Sequence, residues 1–331
     1  MVLYIVNNSN DPYFNLSLEE YLLKELDVGD HYLMLWQNRP VVVVGRNQNT
    51  WDEVNLDYIK ENDVAVVRRQ TGGGAVYHDL GNLNFTFVFR DQRYGSYDFG
   101  YFMEPVVEVL KGLGLAAEID GRNDITIEGK KVSGNSQYRQ KDRVIHHGTL
   151  LFDVNLDNLE QALLVSPDKI AKRGVSSVKS RVTNIRSLLS SSLEIDNFKD
   201  VIKNALLEEF GEIQGDYHLT PDDLRRIEDL QRNKYETWEW NFGASPLYNI
   251  KRSRRFSWGR LDILLDVQEG MIKRCEIYGD FFGREGLSPL EELLEDVPFR
   301  EENIRSVLKN IDPSEYISGL DRETLCELLF N

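Results

Sequence analysis

Arg68 to Asp79 reads RRQTGGGAVYHD, three consecutive glycines beside two arginines. Without a Cβ at Gly72, Gly73 and Gly74, backbone N–H groups can approach an anion closely, as a nest does for phosphate. Arg68 or Arg69 adds a fork of donors for a phosphate or carboxylate. A flexible turn with a solvated arginine pair uses the same residues, so the triplet alone does not decide. The spacing is neither GxxxxGKS/T nor GxGxxG, and no helix follows directly, which argues against a P-loop or Rossmann site.

A second segment, Gly121 to Arg139, reads GRNDITIEGKKVSGNSQYR. A hairpin about Glu128-Gly129 places Asp124 and Lys131 on adjacent strands. Asn123 and Asp124 offer acceptors, Lys131 offers a mobile cation, and Gly134 lets the chain bend close to a ligand. A lysine here could bridge a carboxylate and an α-phosphate, the electrostatic help that an adenylation needs. Lys130 and Lys131 also read as ordinary solvated strand residues. In HHGTLLFDV, His147 precedes a glycine and a strand; either histidine alone reads first as structural. Three of the five histidines, His78, His146 and His147, fall beside glycine-rich turns. No further His, Cys or carboxylate stands at zinc-ligand spacing. From Asp168 to Arg186 there are six Lys+Arg and one Asp. That is either a basic loop balancing nearby carboxylates or a flap and docking face for an acidic macromolecule.

The elements that must position these residues mix helices and hairpins. Asp11 or Asn15 caps a helix containing Leu16, Leu18, Tyr21 and Leu22. Strands are expected at Val41 to Val44, Val64 to Arg69, Asn84 to Phe89, Asp124 to Ile127, Lys130 to Ser133 and Thr149 to Asp153. Met103 to Leu113 and Asn197 to Phe210 read as helices. Hairpins without regular βαβ alternation predict an α+β fold with mostly antiparallel sheets and flanking helices. Residues 243 to 253 read as a linker, dividing a catalytic domain, 1–245, from a small α+β C-terminal domain, 254–331. In the latter, Leu261 to Val267 and a strand ending near Tyr278 precede three helices. Ser288-Pro289-Leu290-Glu291 has the form of a capping box, and Asp312-Pro313-Ser314-Glu315 has the same arrangement.

The chain has 331 residues, a length that suits two domains, and a formal net charge of −16. That charge argues against sequence-blind binding to nucleic acid or an anionic membrane. The longest aliphatic runs are too short to span a bilayer, and the N-terminus has no basic region of a secretory or transit peptide. Only two cysteines occur, Cys275 and Cys326, which excludes a disulfide framework and points to a reducing, cytoplasmic compartment.

Taken together and in this order, the segments resemble the lipoate–protein ligase A family, within the biotin/lipoate protein ligases. DPYFNLSLEE, VVVVGRNQN, RRQTGGGAVYHDLGNLNFTF, GRNDITIEGKKVSGNSQYR, HHGTLLFDVNL, GVSSVKSRVTN, WEWNF and RFSWGRLDILLDVQEG carry the resemblance over essentially the whole chain. It implies a biotin-protein-ligase-like catalytic domain and an accessory C-terminal domain. It also implies two steps: lipoate and Mg-ATP give lipoyl-adenylate and pyrophosphate, then the acyl group passes to a lysine of a lipoyl domain. The implied acceptors are lipoyl domains of 2-oxoacid dehydrogenase E2 subunits and the glycine cleavage H protein, and the implied enzyme is a monomer. By the same resemblance, Lys131 matches the lysine contacting lipoate and the α-phosphate. Arg69, Gly74, Ala75, Val76 and Tyr77 match the ATP-binding loop, and Asn123 and Asp124 line the adenylate. Gly73, Gly74 and His147 lie near the lipoyl group, and Asn82, Ser133 and Arg139 are further matches. Asp124 is the candidate ligand for Mg²⁺. Lys172 and Arg173 fall in the expected flap or acceptor-docking segment.

Three rival readings remain. Octanoyl- or lipoyl-transferases share the catalytic fold but use a cysteine nucleophile, and no Cys precedes residue 275. A non-catalytic lipoate- or nucleotide-binding module is disfavoured by the intact Lys131 and glycine loop. A biotin ligase is disfavoured by the form of that loop.

Overall fold

The computed structural model describes residues 2–90, 98–164, 179–190, 192–210, 213–243, 248–283 and 286–330. They form two compact units. The first comprises Met1–Val44, Trp51–Arg69 and Ala75–Asn241, and the second Gly45–Thr50, Gln70–Gly74 and Phe242–Asn331. Two short glycine-bearing segments thus group with the C-terminal part of the chain.

The first unit is built on an eight-stranded sheet. Its strands in chain order are β1 (Val2–Val6), β2 (His31–Trp36), β6 (Asn82–Arg90), β7 (Ala117–Asp120), β8 (Asp124–Ile127), β9 (Lys130–Gln140), β10 (Arg143–Leu151) and β11 (Ile213–His218). Their spatial order is β11-β1-β2-β6-β10-β9-β8-β7. A small sheet orders β4 (Ala65–Arg68), β3 (Val41–Val44) and β5 (Val76–His78) as β4-β3-β5. Among the described strands, parallel pairing joins β1 with β2 and β11 and β3 with β4. The described α-helices up to residue 241 are α1 (Pro12–Lys24), α2 (Thr50–Glu53), α3 (Leu56–Glu61), α4 (Phe99–Gly112), α5 (Leu156–Ala162), α6 (Ile195–Glu209), α7 (Pro221–Leu230) and α8 (Trp238–Asn241). Helix α1 starts where expected: the Asp11 carboxylate accepts from the Tyr13 N–H, and Pro12 occupies the first turn. Its Leu16, Leu18 and Leu22 join Met34, Trp36, Val41 and Val43 in the core.

Strands β1, β2, β5, β7 and β11 were not expected from the sequence, and β9 and β10 are longer than it suggested. The β10 case has a clear physical reason. Arg143, His146 and His147 break its apolar pattern, yet all nine residues of the strand are buried. Arg143 donates from Nη1 to the carbonyls of Leu22 (3.1 Å) and Leu26 (2.6 Å), so its charge is buried with partners.

The second unit pairs β12 (Ile250–Phe256), β13 (Gly259–Gln268) and β14 (Met271–Gly279) in an antiparallel sheet, with helices α9 (Ser288–Leu294), α10 (Glu301–Leu308) and α11 (Arg322–Phe330). Its own core gathers Leu261, Ile263, Leu265, Ile277, Leu290 and Leu325. The expected linker is part strand, since β12 begins at Ile250; residues 244–247 lie outside the described residues. The expected capping box at Ser288 does not form. Leu287 is the N-cap and has no side-chain cap, while Glu291 instead accepts the Ile277 N–H at 2.8 Å. Asp312 does cap, accepting from Ser314, but only a short 3-10 turn, Pro313–Glu315.

Candidate active site

Strands β8 and β9 join through Glu128 and Gly129, whose φ values of 53° and 74° are both positive, as a two-residue hairpin turn requires. Asp124 faces Gly134 and Thr126 faces Lys131, with a register irregularity that leaves Val132 as the extra residue. Asp124, Thr126 and Lys131 therefore share one face. Lys131 leans across Gly134, and its Nζ lies 2.7 Å from Asp124 Oδ1. The two side chains are 32% and 34% exposed, so the pair stands at the surface within reach of a ligand. A Cβ on Gly134 would sit 2.7 Å from that same Nζ. Gly134 thus makes room for the ammonium of Lys131 itself, a role not foreseen in the sequence.

Asn123 precedes the pair and is tied to the next strand. Its Nδ2 donates to the Asn135 carbonyl (2.7 Å), and the Asn135 N–H donates back to the Asn123 carbonyl (2.8 Å). On the other flank, the Thr183 N–H donates to the Lys131 carbonyl at 3.0 Å. The C-terminal end of the basic segment is thereby stitched to the backbone of Lys131. Lys172, Arg173 and the rest of 165–178 lie outside the described residues.

A second group lies buried beneath the sheet. His147 Nδ1 sits 2.9 and 3.0 Å from the two carboxylate oxygens of Glu19, and Thr86 donates its hydroxyl to that carboxylate. Trp36 Nε1 in turn donates to the Thr86 hydroxyl at 2.9 Å. His78, 3% exposed, has its Nδ1 at 3.2 Å from Asn38 Nδ2. Burial, then Arg69 and His147, push its pKa down to about 3, so the ring is neutral. Its Nε2 is buried and has no hydrogen-bond partner in the structure, as is the Oδ1 of Asn82. An unsatisfied polar atom of this kind marks a place for a ligand or water.

Of the two readings of the arginine pair, the solvated turn does not hold, since both side chains are buried. Arg68 is buried: its Nε donates to the Trp240 carbonyl (2.9 Å), and Trp240 Nε1 donates to the Arg68 carbonyl (2.8 Å). Arg69, 5% exposed, donates from Nη1 to the Val43 carbonyl at 3.2 Å. Burial lowers its pKa to about 10, against the support of the Glu19 carboxylate, and it stays charged.

The glycine loop spans from β4 to β5, the two outer strands of the small sheet. Its three glycines have different reasons. A Cβ on Gly72 would meet the Phe281 carbonyl oxygen at 2.4 Å, and Gly73 adopts φ 89°. A Cβ on Gly74 would meet nothing within 4 Å. Within the second unit the Gly73 N–H points to the Phe281 carbonyl, at 3.4 Å. Gly74, Ala75 and Val76 are partly exposed in succession, and Tyr77 is buried.

Sequence reasoning missed Glu19, Trp36, Thr86 and Asn135. Only Glu19 left a trace: NLSLEEYLL puts two acids inside an apolar run, and both are buried. Cys275 and Cys326 are buried, and burial pushes both thiols up, away from a reactive thiolate. Among the described residues no three His, Cys, Asp or Glu side chains are placed to hold a metal ion, and no helix is long and apolar enough to cross a membrane.

The family model described as lipoyl protein ligase A/B catalytic domain matches residues 11–207, and that for the bacterial lipoate protein ligase C-terminus matches 245–329. The lipoate-protein ligase LplJ of Bacillus subtilis is 40% identical over 332 residues, covering 99% of this chain and 100% of that protein. The solved structure of LipL1 from P. falciparum in complex with lipoate aligns with a TM-score of 0.78 at 26% identity, over 99% of this chain and 97% of its own. A lipoate-protein ligase A bound with ATP aligns with a TM-score of 0.62 at 28% identity, over 73% of this chain and 98% of its own.

Proposed function

The chain belongs to the lipoate–protein ligase family, and from that premise we propose how its residues divide the work of an ATP-dependent lipoate ligation. The observation that carries this reading is the Lys131–Asp124 pair, held on a hairpin at the surface with Gly134 clearing space for the ammonium. In the first step a lipoate carboxylate oxygen attacks the α-phosphorus of ATP, the bond to the β-phosphate breaks, and pyrophosphate leaves. Two anions must meet, and Lys131 exchanges Asp124 for the charge developing on the α-phosphate. In the second step the ε-amine of an acceptor lysine attacks the acyl carbon, AMP leaves, and the amine loses a proton.

Arg69, Gly73, Gly74, Ala75, Val76, Tyr77, Asn123 and His147 are our proposed binding residues. Glu19 holds His147, and the buried His78 Nε2 and Asn82 Oδ1, which have no hydrogen-bond partner, are proposed to meet bound substrate or water. Mg²⁺ is proposed to enter with ATP as part of the substrate. Asp124 is the carboxylate we propose beside the phosphates, where Mg²⁺ would be bound largely by phosphate and water. The domains are proposed as a ligase body, 1–245, and an accessory domain, 254–331. The proposed acceptors are E2 lipoyl domains and the glycine cleavage H protein, and the proposed setting is a monomer in the cytoplasm.

Pyrophosphate release from lipoate and ATP without any acceptor tests the reading directly. Release that Lys131→Ala abolishes is the expected result. No release, together with acyl transfer from an octanoyl carrier protein, would overturn it in favour of a transferase.

A further inference from the structure

His146 is fully buried, and no step above uses it. It lies between aromatic rings, with Phe102 at 4.9 Å and 19° and Phe85 at 6.0 Å and 20° between ring centroids and planes. Both its nitrogens are engaged. Gln137 Nε2 donates to the Asp98 carbonyl at 2.7 Å, which fixes that atom as nitrogen, and the same atom lies 2.9 Å from His146 Nδ1. Nδ1 is therefore the acceptor, and Nε2–H donates to Asn135 Oδ1 at 3.1 Å. Burial holds the ring neutral, as this pattern requires.

That bond in turn orients Asn135. Its Nδ2 then points to the Asn123 carbonyl (3.2 Å) and to Ser133 Oγ (3.1 Å). From Gln137, which also anchors to the Asp98 carbonyl at the start of α4, the donors run in one direction through His146 and Asn135 to the residue before Asp124. Gly148 supplies an independent sign that Asn135 must occupy this place. A Cβ there would lie 2.2 Å from Asn135 Oδ1 and 2.3 Å from Phe85 Cζ. The glycine of the HHG triplet is thus required by the asparagine facing it, not by a turn.

We propose that His146 is a positioning residue for adenylate formation: through Asn135 it fixes the Asn123–Asp124 turn, and hence the geometry in which Asp124 presents Lys131 to the nucleotide. The inference rests on the ligase reading above. A hydrogen-bonded network in a dry interior is stiff because each unmade bond leaves an unsatisfied group. Cutting it at His146 frees the Asn135 amide to rotate and loosens the Asn123 carbonyl.

The test uses His146→Phe, which keeps an aromatic ring in the stack and removes both hydrogen bonds, His146→Gln, which keeps a donor and an acceptor, and Asn135→Ala. Pyrophosphate release is measured against ATP and against lipoate separately, with rates normalised to the active-site burst. For His146→Phe and Asn135→Ala, kcat/KM for ATP is expected to fall about tenfold or more while KM for lipoate stays within twofold, since displacements of an ångström near reacting groups cost up to about 10²-fold. His146→Gln should recover most of the loss. Equal effects on both substrates, or normal ATP kinetics in a folded Asn135→Ala protein, would overturn the proposal. Absence of pyrophosphate release in the unmodified enzyme would instead overturn the ligase reading, so the two failures are distinct.

Discussion

Gly134→Ala isolates the role of Lys131 without touching its chemistry. The added Cβ would lie 2.7 Å from Lys131 Nζ and 2.9 Å from its Cε, and 3.9 Å from Asp124 Oδ1. The backbone at Gly134 is ordinary β, so an alanine brings no φ strain there. The clash is with the end of a flexible side chain, which moves at little cost. Stability should therefore change by no more than about 1 kcal/mol, a Tm shift of about 2–4 °C. Activity is another matter. A relaxed contact needs about 3.5 Å, so the ammonium must retreat by roughly 0.8 Å or swing to another rotamer, and its 2.7 Å pairing with Asp124 is lost. Displacements of that size cost up to about 10²-fold, and outright loss of a transition-state donor about 10²–10³-fold. A fall of about 10–10²-fold in kcat for acceptor-independent pyrophosphate release is expected, about 1.4–2.7 kcal/mol of barrier. Lys131→Ala supplies the ceiling. A Gly134→Ala enzyme with kcat within twofold of the unmodified protein, or one that melts more than about 10 °C lower, would refute the reasoning.

Four further substitutions probe other parts of the molecule. Glu291 is pushed up to about 7 by burial and by Glu276 and Glu295, so the stability tied to its protonated form is fully present below pH 4.5 and lost as pH rises to about 7. Glu291→Gln should remove that slope and stabilise the protein by about 1–2 kcal/mol at pH 8, read by urea unfolding; an unchanged slope would count against it. Glu19→Gln withdraws the charge that faces His147 and supports buried Arg69, and should cost about 3–5 kcal/mol; a loss below about 1 kcal/mol in denaturant titration would contradict the network. Gly72→Ala drives a Cβ into the Phe281 carbonyl and should lower Tm by several degrees, whereas Gly74→Ala meets open space and should leave Tm alone while raising KM for ATP. Equal thermal shifts in the two variants would show that the loop has a different shape.

The part of the site legible in the sequence is the part made by neighbours in the chain. EG between two alternating runs names a hairpin, and a hairpin sets its two strands side by side, although the bulge at Val132 shifts their register. Asp124 and Lys131 could therefore be placed together before any tertiary contact was known, and the structure sets them 2.7 Å apart. The helix beginning at Asp11 and the strand Val41–Val44 were legible for the same reason, a local cap and a local apolar run. The antiparallel character of the sheets also followed from hairpin spacing, although β1, β3 and β4 carry parallel pairs that only distant segments could supply.

What the sequence could not decide is which way a polar residue faces and what pairs with it across the fold. Arg68 and Arg69 look alike in RRQTGGG, yet one is locked to Trp240 and the other lies buried near Glu19. Glu19 meets His147 from 128 residues away, and Arg143 finds its carbonyls at the end of α1 and just beyond it, more than 110 residues earlier. No periodicity encodes such meetings, because burial of a charge depends on partners that exist only once the sheet and helices have packed. The sequence alone determined the chemistry present: an acidic chain with a glycine loop, a lysine–aspartate hairpin and no early cysteine. Tertiary structure decided which of those groups stand at the surface to meet a substrate and which are spent holding them there.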